Sequence, residues 1–217
     1  MDDVVDGSSV PGEPARTDAL TSTYWQARYD EGRTGWDRGG PSPMLGIWLE
    51  AEILRPCRIL VPGSGRGHEV VALAARGFDV TAVDFAEAAV HDLQTRLRER
   101  QLKAVVVQAD LLEFTPAEPF AAIYEQTCLC ALHPSLWHAY EARLRQWLLP
   151  GGLLCALFMQ TDKPEGPPFG CDLSAMQRLF SETVGWRWLR DPRRIDHPMG
   201  LHELACVIQK TPIPSPA

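Results

Sequence analysis

A glycine-rich turn and a lone acid are the first residues in this sequence whose types and spacing could do chemistry. The stretch GSGRG, residues 63–67, follows the apolar run RILVP and leads into the helical pattern HEVVALAAR. Gly63 and Gly65 can adopt positive φ and let the backbone approach a ligand without a Cβ in the way. Asp84 ends the next apolar run, where a carboxylate can accept hydrogen bonds from both hydroxyls of a ribose. Together these residues indicate a ligand that contains a nucleoside.

Two classes of cofactor compete for this site. A dinucleotide fingerprint reads G-x-G-x-x-G, whereas the spacing here is G-x-G-x-G, and Glu69 would repel a pyrophosphate at the start of the helix. S-adenosylmethionine carries no phosphate, so it needs only a close backbone, a ribose acceptor and an adenine slot. Asp110 ends the third apolar run and can meet the adenine amino group, with Leu111 and Leu112 as an apolar wall. We therefore favour S-adenosylmethionine; the alternative is that the glycines serve only as turns.

Strand and helix patterns alternate around these residues. Short apolar runs predict strands over residues 58–62, 78–84, 104–110, 120–126, 153–160, 186–191 and 201–210. Helical spacing of apolar residues predicts helices over 68–76, 86–100 and 172–180, and over 134–152 with a stop at Pro150-Gly151-Gly152. This order is typical of an α/β fold with a doubly wound, seven-stranded, mostly parallel sheet. The closing pair of strands predicts one antiparallel strand at or near an edge.

Composition and charge exclude several classes of protein. The formal net charge of −7 over 217 residues argues against nucleic acid as the main partner. No apolar run has the length that a membrane span needs, and the first residues lack the pattern of a secretion signal. We therefore expect a cytoplasmic protein without a membrane partner. Residues 1–18 are predicted to be a flexible leader, 19–210 a single domain and 211–217 a flexible tail.

The six cysteines raise the question of a metal site. Cys128 and Cys130 form a C-x-C pair close to His133, but no further ligand follows at a suitable spacing. Other cysteines lie inside apolar runs, where a free thiol usually behaves as a small buried hydrophobe. Packing in the core is the favoured interpretation, and we predict no metal.

Several longer motifs make the chain recognisable. It resembles the thiopurine S-methyltransferase-like family of class I S-adenosylmethionine-dependent methyltransferases, including its halide/thiol methyltransferase branch. The motifs that carry the resemblance are YWQARYDEGRTGWDRGGPSP, LVPGSGRGHEVVALA, VDFAEAAV, ADLLEF, CALHP and the GPP of DKPEGPP. The segment TGWDRG is similar to the family's T-P-W-D-x-G, and Pro62 stands where most class I methyltransferases carry an acid.

The resemblance implies a fold, a cofactor and a set of binding residues. It implies a Rossmann-like class I methyltransferase with an N-terminal lid over S-adenosylmethionine, Trp36 against the methionine end and Glu125 beside the reacting centre. Trp137 falls near the place of an Arg that faces the substrate in the family, so thiopurine or halide activity is not assumed. The expected cofactor-binding residues are Trp25, Trp36, Leu45, Gly63, Gly65, Asp84, Phe85, Asp110, Leu111 and Glu125.

The acceptor of the methyl group decides whether a catalytic base is needed. A thiol is partly ionised at neutral pH and needs little help, whereas a hydroxyl or an amine calls for a base. The candidates are Glu125, Asp37 and His133, although His133 before Pro134 also fits a simple helix start. We predict methyl transfer to a small-molecule acceptor, with sulfur or another soft nucleophile favoured. The alternatives are N- or O-methylation of a heterocyclic metabolite, an NAD(P)-dependent oxidoreductase and a non-catalytic binding module; the oligomeric state stays open.

Overall fold

The computed structural model describes residues 20–163, 165–198 and 200–212. The predicted leader and residues 213–217 of the predicted tail lie outside the described residues. Within these ranges, no helix combines the length and the apolar character that crossing a membrane requires.

Among the described residues, eight strands form one sheet and six α-helices accompany it. The strands are β1 (Arg58–Pro62), β2 (Asp79–Asp84), β3 (Val105–Gln108), β4 (Phe120–Gln126), β5 (Leu148–Gln160), β6 (Trp186–Trp188), β7 (Arg193–Asp196) and β8 (His202–Lys210). The helices are α1 (Ser22–Asp30), α2 (Pro43–Glu50), α3 (His68–Ala74), α4 (Glu87–Glu99), α5 (Trp137–Trp147) and α6 (Leu173–Leu179).

The sheet has the order β3-β2-β1-β4-β5-β8-β6, and β7 pairs with β8 beside this path. Strands β1 to β5 pair in parallel, while β8 runs antiparallel to β5, β6 and β7. The α/β class, the mostly parallel sheet and the antiparallel strand near one edge are confirmed. The prediction of seven strands missed β7, which is four residues long. Because the strand order reverses between β1 and β4, a crevice opens at their carboxyl ends.

Two layers of apolar side chains cover the two faces of the sheet. On one face, α5 and α6 pack against β4 and β5 through residues such as Tyr140, Trp147 and Met176. On the other face, α2, α3 and α4 pack through residues such as Trp48 and Leu93. Coverage on both faces explains why the central strands read as continuous apolar runs.

The prediction that Pro150-Gly151-Gly152 ends the helix before β5 is wrong. Helix α5 ends at Trp147, and Leu148 already pairs with Phe120 of β4. The segment Pro150-Gly151-Gly152 lies inside the range of β5, where the pairing partner moves from Leu148 to Leu153 in an irregular step. The Pro-Gly-Gly segment therefore forms a bulge within β5 and does not end helix α5, because the pairing of β5 with β4 already begins at Leu148.

Helices α1 and α2 were not predicted, although each begins with a capping residue. The Thr21 side chain accepts a hydrogen bond from the Tyr24 N–H at the start of α1. Ser42 does the same for Met44 in α2, with Pro43 as the first helical residue. Ser followed by Pro is a common helix start, so α2 had a signal in the sequence.

Gly67 allows a stability test of the turn before α3. Its φ is +72°, and a Cβ added there would lie 2.2 Å from Cδ1 of Leu93, which is fully buried in α4. Gly77 has a φ of +82° but open space around a Cβ. We expect Gly77→Ala to cost about 1–2 kcal/mol from backbone strain, and Gly67→Ala to cost about 1–3 kcal/mol more from overpacking. Urea unfolding of both variants checks this, and equal losses would contradict the contact with Leu93.

Candidate active site

A cavity of about 370 Å³ opens at the carboxyl ends of β1, β2 and β4. Helix α1 and the loop 31–41, together called the lid here, contribute to one wall. Clefts of this size and position are the usual binding sites for small molecules in open α/β sheets. The predicted site residues that line it are Trp25, Trp36, Asp37, Gly63, Gly65, Asp84, Phe85, Asp110 and Leu111.

Asp84 joins the end of β2 to the glycine turn. Its Oδ2 accepts a hydrogen bond of 2.9 Å from the Gly65 N–H, and its Oδ1 accepts one of 3.0 Å from the Ala86 N–H. Burial raises the pKa of the Asp84 carboxyl, and these two hydrogen bonds oppose the rise. An ionised carboxylate can accept about four hydrogen bonds. The backbone N–H of Phe85 also lowers the pKa of Asp84, so the carboxylate keeps acceptor capacity for at least one further donor, such as a ribose hydroxyl.

The glycine turn leaves no room for side chains. A Cβ on Gly63 would lie 2.9 Å from both Cβ and Sγ of Cys128, and a Cβ on Gly65 would lie 3.2 Å from the Tyr29 hydroxyl. Beside the turn, the buried carboxylate of Glu69 accepts a hydrogen bond of 2.9 Å from the Ser42 N–H. An acid at this place disfavours a pyrophosphate. The site thus fits an adenosyl group that carries no phosphate. S-adenosylmethionine contains such a group.

Three aromatic rings form the inner surface of the lid. The Trp36 ring meets the rings of Trp25 and Tyr29 edge-on, with centroids 5.3 and 5.7 Å apart. Burial raises the pKa of the Tyr29 phenol, and the charge of Asp84 adds to the rise. The Tyr29 hydroxyl therefore stays protonated and available as a donor next to the glycine turn. The side chain of Gln26 accepts a hydrogen bond from the Ala88 N–H, which holds α1 against the start of α4.

Asp37 fastens the lid to α3. Its Oδ1 lies 2.8 Å from Nε2 of His68 and accepts a hydrogen bond of 2.7 Å from the Gly39 N–H. Arg66 approaches its Oδ2 to 3.4 Å. Partial burial acts to raise the pKa of Asp37, but these partners outweigh burial and hold the pKa below its ordinary value. Asp37 is therefore an ionised anchor whose lone pairs are already engaged.

Arg38 fastens the lid to the opposite side of the cavity. Its Nη2 donates to Oε2 of Glu203 at 2.7 Å and to the Asp196 carbonyl oxygen at 2.9 Å. Glu203 is fully buried, and both of its oxygens also lie 3.2 Å from Nε2 of Gln126. The Tyr124 hydroxyl donates to Oε1 of the same glutamine. This chain of polar contacts satisfies a buried charge that would otherwise be costly.

Three predicted site residues do not line the cavity. Leu45 is buried in the core between α2 and the sheet. His133 lies on the surface side of its loop, where Nδ1 is 2.8 Å from the Ser135 hydroxyl. Glu125 is buried, and its Oε1 accepts a hydrogen bond of 2.7 Å from the Leu129 N–H. Their assignments stay predictions.

The position of Glu125 follows from the geometry of a strand. Neighbouring side chains of a strand point to opposite faces of the sheet, and Tyr124 and Gln126 are the residues of β4 that line the cavity. Burial raises the pKa of Glu125 to about 7, and the hydrogen bond from Leu129 partly opposes this. Its Oε2 has no hydrogen-bond partner among the described residues. Glu125 therefore holds the loop after β4 through the Leu129 N–H.

Many lining residues escaped the sequence analysis, among them Tyr29 and His197. Tyr29 lies one helical turn after Trp25, so helical spacing could have placed both on one face of α1. His197 follows β7, and nothing in its sequence context marks it. Burial lowers the pKa of His197 to about 4, and the charge of Arg38 adds to the effect. The imidazole is therefore neutral at physiological pH and only a weak base.

Comparison with known proteins agrees with this geometry. A family model described as thiopurine S-methyltransferase matches residues 20–203. A probable thiol methyltransferase 2 of Arabidopsis thaliana is 30% identical over 163 residues, which are 74% of this chain and 72% of the relative. A thiopurine S-methyltransferase of Pseudomonas fluorescens is 30% identical over 183 residues, or 76% and 82% of the two chains.

A solved structure supports the fold. It is the 1,6-didemethyltoxoflavin-N1-methyltransferase of Burkholderia thailandensis with bound 1,6-didemethyltoxoflavin and S-adenosylhomocysteine. The TM-score is 0.75 at 22% identity, over 95% of this chain and 94% of that one. Fold and cavity define a class I S-adenosylmethionine-dependent methyltransferase that acts on small molecules. Within that class, the chain belongs to the thiopurine S-methyltransferase family.

Asp84→Asn tests the ribose site. The change replaces one acceptor oxygen by an NH2 donor, which faces backbone N–H groups. We therefore expect the Kd for S-adenosylhomocysteine to rise about ten- to hundredfold, which corresponds to a loss of about 1–3 kcal/mol of binding free energy. Asp79→Asn is the matched control, because Asp79 begins the same strand and its side chain is 69% exposed. Titration calorimetry measures both constants. An unchanged Kd in Asp84→Asn would refute the assignment.

Glu125→Gln tests the buried acid. Burial raises the pKa of Glu125 from 4.5, the value for the unfolded chain, to about 7 in the folded protein. The group therefore makes its full contribution to stability at pH values below the unfolded pKa, where it is protonated in both states. That contribution is lost as pH rises through the folded pKa. We expect the free energy of unfolding of the parent protein, relative to the variant, to fall by about 2–3 kcal/mol between about pH 5 and pH 8. Urea unfolding at several pH values measures the difference, and a constant difference would show that Glu125 does not titrate in this range.

Proposed function

We propose that this enzyme transfers the methyl group of S-adenosylmethionine to the sulfur of a small thiol or a similar soft nucleophile. The observation that carries the proposal is the chemistry of the cavity: apolar and polarisable side chains contribute to its lining, and none of the three bases expected from the sequence lies free in it. The apolar residues are Cys130, Ala131, Leu132, Met159, Pro167 and Pro168.

The candidate bases are unsuited to remove a proton from the acceptor. Asp37 is engaged with His68 and Arg66, and Glu125 and His133 do not line the cavity. His197 lines it, but its pKa of about 4 makes it a weak base at neutral pH. A hydroxyl or an amine acceptor would call for such a base. A thiol reacts as the thiolate, which forms at neutral pH without one.

The cofactor fits the residues around the glycine turn. We propose that Asp84 accepts the ribose hydroxyls, that Asp110, Leu111 and Phe85 surround the adenine, and that Gly63 and Gly65 allow the backbone to approach. The Trp25 and Trp36 rings then cover the methionine end. When bound, S-adenosylmethionine supplies an electrophilic methyl group on a sulfonium sulfur.

The enzyme's own contribution is alignment and exclusion of water. Asp37 and Arg38 fasten the lid on both sides of the cavity, so the aromatic rings close over the reactants. Correct alignment alone can supply about 7–11 kcal/mol of the acceleration in well-oriented reactions. The acceptor thiolate provides the electron pair for the new S–C bond and has no proton left to lose. The thioether that forms is neutral.

The curated relatives support a sulfur acceptor, because their names describe a thiol methyltransferase and a thiopurine S-methyltransferase. All six cysteines are free thiols, which is usual in a reducing compartment. We therefore also propose a cytoplasmic location. Residues 19–210 would form one methyltransferase domain, since a single sheet runs through the described part of this range.

The test compares acceptors of one shape and different accepting atoms. Thiophenol and phenol share a ring and differ only in the atom that receives the methyl group, and aniline extends the series to nitrogen. We expect the methyl-labelled cofactor to yield the S-methyl product at least about a hundredfold faster than the O- or N-methyl product, since the thiol ionises readily, phenol finds no base, and the uncharged aniline nitrogen is a weaker nucleophile than a thiolate. Mass spectrometry identifies the products. Methylation of aniline or phenol with thiophenol untouched would overturn the proposal.

A further inference from the structure

The arginines that line the cavity differ in their ion pairing. Four arginine side chains contribute to the lining, and three of them have a carboxylate partner. The three pairs are Arg33 with Glu31, Arg38 with Glu203 and Arg66 with Asp37. The fourth, Arg28, forms no ion pair with any residue that the structure describes. Among these four arginines, Arg28 is therefore the one whose positive charge is not paired with a carboxylate of the described residues.

The guanidinium of Arg28 is held in place by an aromatic neighbour. It lies 4.8 Å above the centre of the Tyr24 ring, and its Nη2 donates a hydrogen bond of 2.5 Å to the Tyr24 hydroxyl. Its Nε is buried and has no hydrogen-bond partner among the described residues. A guanidinium has five N–H donors in a fixed plane, and one of those of Arg28 is used on Tyr24, so most of its donors have no partner among the described residues. Contact with the ring orders the cation without neutralising it.

The surroundings restrict which anion this cation can bind. Apolar side chains contribute to the same lining, among them Leu132, Met159 and the Pro167-Pro168 pair, so a strongly hydrated anion that contacts them would lose water without replacement. Guanidinium is itself weakly hydrated and matches anions of low charge density. A thiolate or another sulfur-centred anion fits both conditions.

We propose that Arg28 is the anion subsite of the cavity and selects acceptors that carry a negative charge. This inference rests on the proposed sulfur acceptor and adds the charge state in which that acceptor binds. During transfer the thiolate electron pair forms the S–C bond, the bond from the methyl carbon to the sulfonium sulfur breaks, and both products are neutral. Arg28 consequently binds the anionic substrate more tightly than the neutral product.

The same charge balance predicts which kinetic constant changes. The negative charge of the acceptor is already dispersed in the transition state, so Arg28 stabilises the bound substrate at least as much as the transition state. Interactions of this kind lower KM without raising kcat. Loss of the charge in Arg28→Gln should therefore raise KM for an anionic acceptor and leave kcat unchanged or slightly higher.

The experiment uses two sulfur acceptors of different charge. Thiocyanate is an anion throughout the working pH range, whereas thiourea is a sulfur nucleophile of similar size that carries no net charge and reacts without losing a proton. In Arg28→Gln we expect KM for thiocyanate to rise about ten- to hundredfold, the usual effect of losing a hydrogen bond to a charged group. KM for the uncharged thiourea should change by less than about threefold, and Arg28→Lys should recover most of the thiocyanate affinity. Arg98→Gln, an exposed arginine on α4, is the control for the change in net charge.

Calorimetry separates the possible outcomes. The parent protein saturated with S-adenosylhomocysteine should bind thiocyanate, and Arg28→Gln should weaken that binding while its Kd for S-adenosylhomocysteine stays within about twofold. A matching loss of S-adenosylhomocysteine affinity would overturn the proposal, because Arg28 would then hold the cofactor's carboxylate. Unchanged thiocyanate binding in Arg28→Gln would overturn it as well. If thiocyanate binds through Arg28 but no sulfur acceptor is methylated, the subsite stands and the proposed function fails.

Discussion

The hydrogen bonds of one buried carboxylate hold the ligand-binding edge of the sheet together. Asp84 ends β2 and binds the N–H of Gly65 in the turn after β1 and the N–H of Ala86 before α4. A buried carboxylate without such partners would be protonated or would destabilise the fold. Two chain segments are therefore fixed by the same acid that we propose to bind the ribose.

The sequence was most informative where local geometry decides the outcome. The glycine turn and Asp84 could be assigned because glycine tolerates positive φ and a carboxylate at a strand end is well placed for a ribose. Helix α4 and the central strands follow from the spacing of apolar residues, since that spacing alone determines which face is buried. The lid was expected from the resemblance, and its two tryptophans do line the cavity.

Other features depend on contacts between segments that sequence spacing does not reveal. Leu45 could be placed near the cavity by motif, but only the packing of α2 on the sheet shows that it lies in the core. Glu125 was placed beside the reacting centre, although the alternation of side chains along β4 puts it on the face opposite Tyr124 and Gln126. The end of α5 was misjudged because Pro150-Gly151-Gly152 is equally compatible with a bulged strand. The partners of Arg38 are more than a hundred residues away in sequence, so no local pattern could indicate them.

The reversed direction of β8 has a consequence for how the enzyme matures. Because β8 runs antiparallel, its first residues lie at the edge where the parallel strands end, and Glu203 there holds Arg38 of the lid, 165 positions earlier in the chain. As chains emerge from the ribosome N-terminus first, β1 to β5 and the glycine turn are available before this anchor has been synthesised. The cavity is thus completed only after β8, the last strand in chain order among the described residues, has been synthesised.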